Sequence, residues 1–256
     1  MSTDSVEISP HNNPSQSKMY FNWSTGKDSA FAVYKLLNNE HQQWSIELLL
    51  TTVNSHFDRV SMHGVRRKLL HAQAEALGIP VRTVELPEKL SMEEYQEIMK
   101  QTVQALTDEG YTHAGFGDIF LEDLRQNREE KLRSVGISCE FPLWKMDTKE
   151  LMQEFLRLGF RTIVVSTQAK VLDERFVGRE IDQAFLDELP EGVDPCGENG
   201  EFHTFCFDGP IFNKPVPFTV GQKIYREYKH ENEAYGYWFC DLIPLGETED
   251  NAESFS

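Results

Sequence analysis

The chain has few basic residues relative to its acidic content. It carries 25 Lys and Arg against 42 Asp and Glu, which gives a formal net charge of −17 at pH 7. Proteins that bind nucleic acid through its phosphates present a basic surface, so this balance argues against RNA or DNA as a partner. It argues equally against an anionic membrane surface. We therefore expect neither nucleic acid nor a membrane among the partners.

Long apolar runs and paired cysteines are also missing. No apolar run approaches the roughly 20 residues of a membrane-spanning helix, and the N-terminal residues lack the apolar stretch of a secretory signal. The cysteines at 139, 196, 206 and 240 form no C-x-x-C pair. Paired-thiol metal and redox motifs are thereby excluded, and a reducing cytoplasm is the expected setting.

What remains is the composition of an ordinary globular protein. The 256 residues are 39% hydrophobic and 26% charged, enough for one large domain or two modest ones. Residues 1–17 are rich in Ser, Asn, Pro and Gln without periodicity, and residues 246–256 are small and acidic. Both ends are predicted to be disordered tails.

A polar segment near the start of the ordered chain is the first candidate site. An apolar run at 19–23 leads into residues 24–29, and apolar periodicity resumes from Ala30. This pattern predicts a strand, a tight turn and a helix, a junction whose N–H groups and positive helix end suit a phosphate. A plain capped turn between strand and helix is the alternative. The segment reads Ser24, Thr25, Gly26, Lys27, Asp28 and Ser29.

Each side chain of this segment has a chemical reason to be there. Gly26 allows close approach of the backbone to an anion, Lys27 supplies charge, and Ser24 and Ser29 supply hydroxyl donors. Asp28 suits either a helix cap or a Mg²⁺ ligand beside phosphates. The spacing is not that of a Walker A loop. It resembles the PP-loop of the ATP pyrophosphatases, usually S-G-G-K-D-S, in which Thr25 replaces the middle glycine.

Alternating strand and helix patterns follow. Strands are predicted at 19–23, 46–53, 79–86, 113–119 and 161–167, and helices over 30–37, 61–77, 92–106, 121–135 and 151–158. Such units predict an α/β fold, a parallel sheet with helices on both faces. Ligands bind beyond the carboxyl ends of such strands. Nucleotide contacts are therefore expected near Thr52, Gly117 and Asp118, the last as a metal or ribose ligand or as a plain turn residue.

The pattern changes after residue 167. Segments 201–207, 223–229 and 235–243 read as antiparallel strands of a smaller α+β region. The predicted division is a nucleotide-binding domain at 18–167 and a substrate-binding domain at 168–245.

A second candidate site lies in this later region. Residues 192–204 read G-V-D-P-C-G-E-N-G-E-F-H-T and place four titratable groups, Asp194, Glu198, Glu201 and His203, within ten positions. Carboxylates near a histidine can hold Mg²⁺, bind ammonium or act as a base. A solvated acidic turn before a strand is the alternative. Cys196 is either a nucleophile or a structural residue.

Taken in order along the chain, four segments together resemble the diphthine–ammonia ligase family. They are the segment 24–29, Gly117-Asp118-Ile119, Pro142-Leu143-Trp144, and 192–204 with Asp208-Gly209-Pro210. The resemblance covers nearly the whole chain outside the tails. It implies a PP-loop domain followed by a smaller domain, and an activity in which ATP activates a carboxylate as an acyl-adenylate, ammonia displaces AMP, and pyrophosphate leaves.

One departure from the family pattern falls in the later segment. Diphthine-specific members usually read E-G-G-E-x-E-T where this chain has Glu198-Asn199-Gly200-Glu201-Phe202-His203-Thr204. The variant resembles the bacterial branch of the family, for which a role in cobalamin salvage has been proposed. The chemistry therefore transfers more securely than the identity of the carboxylate.

The resemblance and the residues together imply the following roles. Residues 24–29 hold the β and γ phosphates of ATP, with Mg²⁺ at Asp28 and Asp118. Arg125 and Arg128 approach the phosphates or the acid, or form ordinary helix-surface ion pairs. Glu198, Asn199 and Glu201 hold the ammonia or the substrate in the second domain, with Asp194, His203 and Thr204 beside them.

Other functions remain open from the sequence. A regulator that binds ATP or AMP without turnover needs the first segment but not the second. A thiolation enzyme acting on RNA predicts salt-sensitive RNA binding, which the net charge of −17 disfavours. Whether the chain forms a homodimer is not settled by the sequence.

Overall fold

A computed structural model describes residues 16–230 and 233–249. The predicted disordered tails lie mostly outside these ranges. Ser17, at the edge of the first predicted tail, already pairs with Trp44 in a sheet. In the second, Glu247 accepts hydrogen bonds from Arg66 and Lys68.

The elements alternate along the first two thirds of the chain. In chain order they are β1 (Ser17–Asn22), α1 (Lys27–Leu37), β2 (Trp44–Asn54), β3 (Arg59–Val60), α2 (Arg67–Leu77), β4 (Val81–Leu86), α3 (Met92–Asp108), β5 (Tyr111–Gly115), α4 (Glu122–Arg133), β6 (Ser138–Glu140), α5 (Thr148–Arg157), β7 (Arg161–Gln168), α6 (Gln183–Asp187), β8 (Phe202–Asp208), β9 (Phe218–His230) and β10 (Glu233–Pro244).

The first sheet is mostly parallel and has a reversal of strand order at its centre. Its order is β3-β2-β1-β5-β6, with β4 also paired to β2. The chain runs from β1 to β2 and β4 on one side, then crosses to β5 on the other side of β1. The crevice where the order reverses is the usual ligand site of such sheets. Here it lies beyond β1 and β5, where residues 24–29 and 116–118 follow.

Side chains on the two faces of β1 enter two different cores. Met19 and Phe21 belong to one buried cluster, while Tyr20 belongs to another with Leu106 of α3. This alternation is what a central strand covered on both faces requires. The predicted fold class is confirmed.

The second sheet is antiparallel, in the order β8-β7-β10-β9. The strand at 161–167 was expected to continue the parallel sheet, and that placement is wrong, because β7 pairs antiparallel with β8 and β10. An apolar run reports burial but not which sheet a strand joins. The larger core cluster runs across both sheets and includes Phe31 of α1 and Phe205 of β8.

Local signals explain several element ends. Ser91 and Glu94 form a reciprocal capping box at the start of α3, and Gly78 ends α2 with φ 68°. The helix expected over 61–77 begins only at Arg67, because residues 59–66 form a turn around β3. None of the helices in the described ranges is long and apolar enough to cross a membrane.

Candidate active site

The turn at residues 24–29, called here the first loop, is closed by its own hydroxyl groups. The Oγ atoms of Ser24 and Ser29 lie 2.8 Å apart, and Ser29 Oγ accepts the Ser24 N–H at 3.2 Å. The Gly26 N–H points to Ser24 Oγ at 3.4 Å. The loop is therefore compact at the carboxyl end of β1.

Thr25 adopts a backbone conformation that favours glycine. Its φ is 73°, in the left-handed region that β-branched residues rarely enter. The residue is fully buried, and its carbonyl accepts hydrogen bonds from Gln73 Nε2 and Cys206 N, each at 2.9 Å. Thr25 therefore adopts a left-handed conformation that glycine would adopt without strain, and hydrogen bonds to its carbonyl hold it there.

Gly26 is the N-cap of α1 and makes no side-chain cap bond. The prediction that Asp28 caps this helix is wrong, since Asp28 lies in its first turn and binds Lys27 instead. A Cβ on Gly26 would lie 2.9 Å from Cε1 of His63 and 3.2 Å from the Thr204 carbonyl oxygen. A side chain at 26 would push these neighbours away.

Lys27 points into the protein rather than into solvent. Its Nζ lies 2.8 Å from both Asp28 oxygens and donates to the Cys196 carbonyl. The ring of Phe202 lies 5.5 Å away. Burial acts to lower the pKa of Lys27, but the charge of Asp28, its hydrogen bond and the neighbouring Cys196 and Glu198 together outweigh it, and the pKa is raised. The amine is therefore a buried cation at the start of α1.

The segment 194–204, called here the late loop, is built by its own acids. Asp194 accepts the N–H groups of Cys196 and Glu198 and the hydroxyl of Thr148. Glu201 is buried and accepts the N–H groups of Asp194 at 3.0 Å and Asn199 at 2.9 Å. These two carboxylates organise the backbone of the loop.

Asn199, the departure from the family motif, is explained by the same contacts. Its side-chain amide donates to Glu201 Oε1 at 3.0 Å. The extra side chain therefore reinforces the loop. The cysteine of this loop has a structural environment too, because its buried thiol donates to the Thr148 carbonyl and burial raises the pKa of Cys196 well above its usual value.

The first and late loops touch directly. Thr204 Oγ1 accepts the Lys27 N–H at 3.0 Å, and the Cys206 N–H donates to the Thr25 carbonyl. Gln73 of α2 connects both, since it donates to Thr25 and to the Cys206 carbonyl and accepts from Trp23 Nε1. The two halves of the site are thus assembled into one surface.

Two further carboxylates, Asp118 and Glu198, lie near Asp28 in the first turn of α1. Gly117 lies against it, because a Cβ there would be 3.1 Å from Ser29 N. Burial raises the pKa of Asp118 despite the Arg128 charge. Burial and the charge of Asp28 raise the pKa of Glu198 to about 7. Asp28, Asp118 and Glu198 therefore repel one another, which a bound cation would relieve.

The donor set fits Mg²⁺ only together with nucleotide. Within residues 16–230 and 233–249, no three His, Cys, Asp or Glu side chains converge closely enough to hold a metal ion. Mg²⁺ commonly binds through one or two carboxylates plus substrate phosphates. Asp28 and Asp118 match that pattern.

The remaining predicted residues lie around this centre. Arg128 pairs with Asp118, with its guanidinium 4.6 Å above the Phe116 ring. Arg125 pairs with Glu129 and lies 4.5 Å from the Trp144 ring. The carbonyl of Thr52 in β2 accepts the Ser61 N–H. Arg125 therefore has the helix-surface pair that the sequence left as an alternative, whereas Arg128 pairs with Asp118, another predicted site residue.

The sequence alone did not single out Gln73 or His63. His63 follows β3, its Nδ1 lies 3.1 Å from the Thr204 carbonyl, and its ring centre lies 4.8 Å from that of His203. Neither residue sits in a motif, so only the fold could bring them to the site.

Comparison with known proteins identifies the family of the chain. Family models described as the diphthamide synthase N-terminal and C-terminal domains match residues 17–139 and 147–238. A diphthine–ammonia ligase of Bos taurus is 26% identical over 215 residues, covering 75% of this chain and 79% of that protein. One of Danio rerio is 26% identical over 230 residues, covering 83% and 89%. Because both domain models match in order, the chain belongs to the diphthine–ammonia ligase family, as its motifs predict.

Proposed function

We propose that the chain is an ATP-dependent ligase that converts a carboxylic acid into an amide with ammonia, releasing AMP and pyrophosphate. The observation that carries the proposal is the direct contact between the two loops, through Thr204 Oγ1 on Lys27 N and the Cys196 carbonyl on Lys27 Nζ. A phosphate held by the first loop therefore lies beside the residues that surround the acid.

The first loop supplies the charge that ATP needs. The start of α1 presents its positive end to the phosphates, and the phosphates compete with Asp28 and the Cys196 carbonyl for the Lys27 amine. Mg²⁺ held by Asp28 and Asp118 would offset the charge of the departing pyrophosphate. Glu198 lies close enough to both carboxylates to respond to that cation.

The identity of the acid is open to direct screening. The relatives named above act on diphthine by their names, and the Asn199 and His203 variant resembles the branch linked to cobalamin salvage. A panel should therefore contain a diphthine-bearing protein and corrinoid acids.

The described cysteines are all free thiols, which supports a reducing cytoplasm as the site of the reaction.

The test is the release of AMP and pyrophosphate with each acid plus ammonium. Lys27→Met should abolish the release of AMP and pyrophosphate. Lys35→Met is the control and should not, because Lys35 lies at the other end of α1, where it pairs with Glu154 of α5. Circular dichroism checks that both variants fold. Release of ADP would contradict adenylation. Tight ATP binding without AMP across the whole panel would favour a regulatory protein instead.

A further inference from the structure

Two imidazoles lie against the first loop, and neither the family motif nor the charges explain His63. Its Cε1 would touch a Cβ on Gly26 at 2.9 Å, and its ring lies 4.8 Å from that of His203. The two rings come from opposite sides of the junction, His63 after β3 and His203 from β8. His63 therefore borders the first loop, and the pair lies near the place where the acyl-adenylate would form.

The bond to Thr204 fixes which nitrogen of His63 carries the proton. A carbonyl oxygen can only accept, so Nδ1 of His63 donates to it at 3.1 Å. Burial lowers the pKa of His63 to about 4, against a partly opposing effect of the Thr204 bond. The ring is thus neutral at pH 7, with an acceptor lone pair on Nε2. That atom makes no hydrogen bond to any described residue.

Next to the two rings a neutral ligand is favoured over a cation, unlike at the carboxylates of Asp28, Asp118 and Glu198. Burial lowers the pKa of both histidines, and the charge of the Lys27 amine adds to this, although Asp28 opposes it at His203. Burial and the Lys27 charge disfavour ammonium beside the rings in the same way. The buried acid of the late loop, Glu201, is occupied by backbone N–H groups and by Asn199. Ammonium has no lone pair for attack, whereas neutral ammonia can donate N–H to an imidazole and keep its lone pair free.

We propose that His63 and His203 form the ammonia site, with Nε2 of His63 as the acceptor of an ammonia N–H. This inference rests on the proposed function. In the step, the ammonia nitrogen bonds to the acyl carbon and the bond from that carbon to the phosphate oxygen breaks. The electron pair leaves with AMP. The proton shed by nitrogen passes to Nε2 of His63 and then to solvent.

The first test needs no acid substrate. The full chain, labelled with ¹⁵N at histidine and held with AMP, is titrated at pH 8.5 with ammonium chloride or with equal potassium chloride. The His63 Nε2 resonance should shift saturably with ammonium chloride and not with potassium chloride, while the exposed His71 stays unchanged. No shift, or the same shift with potassium, overturns the proposal.

A pair of variants separates binding from folding. His63→Asn keeps an N–H donor for Thr204 but shortens the side chain away from Nε2, and His71→Asn is the matched control on α2. With an acid that supports exchange of pyrophosphate into ATP, His63→Asn should lower amide formation about 100-fold or raise the ammonia KM about tenfold. Exchange, which involves no ammonia, should change far less.

The outcomes distinguish this inference from the proposed function. If exchange falls as much as amide formation, His63 only supports the loop and the ammonia site is wrong. If the wild-type chain exchanges no pyrophosphate with any acid, adenylation fails, while the ammonium titration still decides whether ammonia binds at Nε2 of His63.

Discussion

At the scale of the single residue, Thr25 shows how the fold tolerates a departure from its motif. A β-branched residue in the left-handed region costs about 1–2 kcal/mol relative to glycine. Here the conformation is held by Gln73 and Cys206, which bond the Thr25 carbonyl. In addition, Thr25 Oγ1 is buried without a hydrogen-bond partner in the described part of the chain. The substitution is therefore tolerated but not favourable.

This strain gives a prediction at Thr25. Thr25→Gly should be more stable than Thr25→Ala by about 1 kcal/mol, because alanine keeps the Cβ that the positive φ disfavours and glycine does not. Both variants lose the hydroxyl, so the difference between their free energies of unfolding reports the cost of the backbone conformation. Urea unfolding of the two proteins measures it. Equal midpoints would show that the conformation is not strained.

At the scale of the element, the late loop is defined by carboxylates turned inward. Glu201 has the stronger structural role, because its two oxygens accept two backbone N–H groups and the Asn199 amide. Glu198 is different, since burial and the charge of Asp28 raise its pKa to about 7. In one short segment, the charge of Glu201 thus stabilises the folded loop, whereas the charge of Glu198 destabilises it.

Amide substitutions should separate these two acids. Glu201→Gln places an NH₂ group against backbone donors and should lower the free energy of unfolding by about 1–3 kcal/mol. Glu198→Gln removes a disfavoured charge at pH 8 and should raise it by about 1 kcal/mol. Chemical denaturation at pH 8 compares the two. A larger loss from Glu198→Gln than from Glu201→Gln would contradict this division.

The sequence predicts some of these features and not others. The first loop, the strand before it and the helix after it follow from turn chemistry and periodicity. The inward direction of Glu201 does not, because a Gly-rich acidic turn looks the same whether its carboxylates meet solvent or backbone N–H groups. The predicted placement of β7 in the parallel sheet is wrong for a related reason, because the sequence of a buried strand does not indicate which sheet it joins. His63 lies in no motif, so only the tertiary fold identifies it.

Gln73 links elements that are far apart in the chain, and it offers another prediction. Gln73→Leu leaves the Trp23 indole N–H without its acceptor and removes one donor from each of the Thr25 and Cys206 carbonyls. We expect a loss of about 2–4 kcal/mol in the free energy of unfolding. Gln153→Leu, at an exposed position of α5, should change it by less than about 0.5 kcal/mol. Denaturation curves in urea test the pair.

At the scale of the whole molecule, the two sheets are joined by charge as well as by the shared core. Asp241 of β10 is buried and accepts from Arg59 at 3.0 Å and from Arg66. Burial acts against the charge on Asp241, but the Arg66 hydrogen bond and the two arginine charges lower its pKa. The second sheet is therefore fixed on the first by this buried ion-pair cluster.

The half-buried pair of His63 and His203 makes the stability of the molecule sensitive to acid. Burial, with the charge of Lys27, lowers the pKa of His63 to about 4. Burial, then His63 and Lys27, lower the pKa of His203 to about 3, although Asp28 opposes this. In the unfolded chain both titrate near 6.5. Because the folded pKa values are depressed, the contribution is complete above pH 6.5 and is lost as the pH falls toward 4 and 3.

Between pH 7 and pH 5, each histidine should therefore remove about 2 kcal/mol from the free energy of unfolding. His203→Gln, which cannot titrate, should flatten the fall by that amount, whereas His71→Gln on the exposed face of α2 should leave it unchanged. Urea unfolding of the three proteins at half-unit steps of pH gives the slopes. Carboxylates that also titrate contribute equally to all three and drop out of the comparison. Parallel curves for the wild type and His203→Gln would mean that the surroundings of the ring do not lower the pKa of His203.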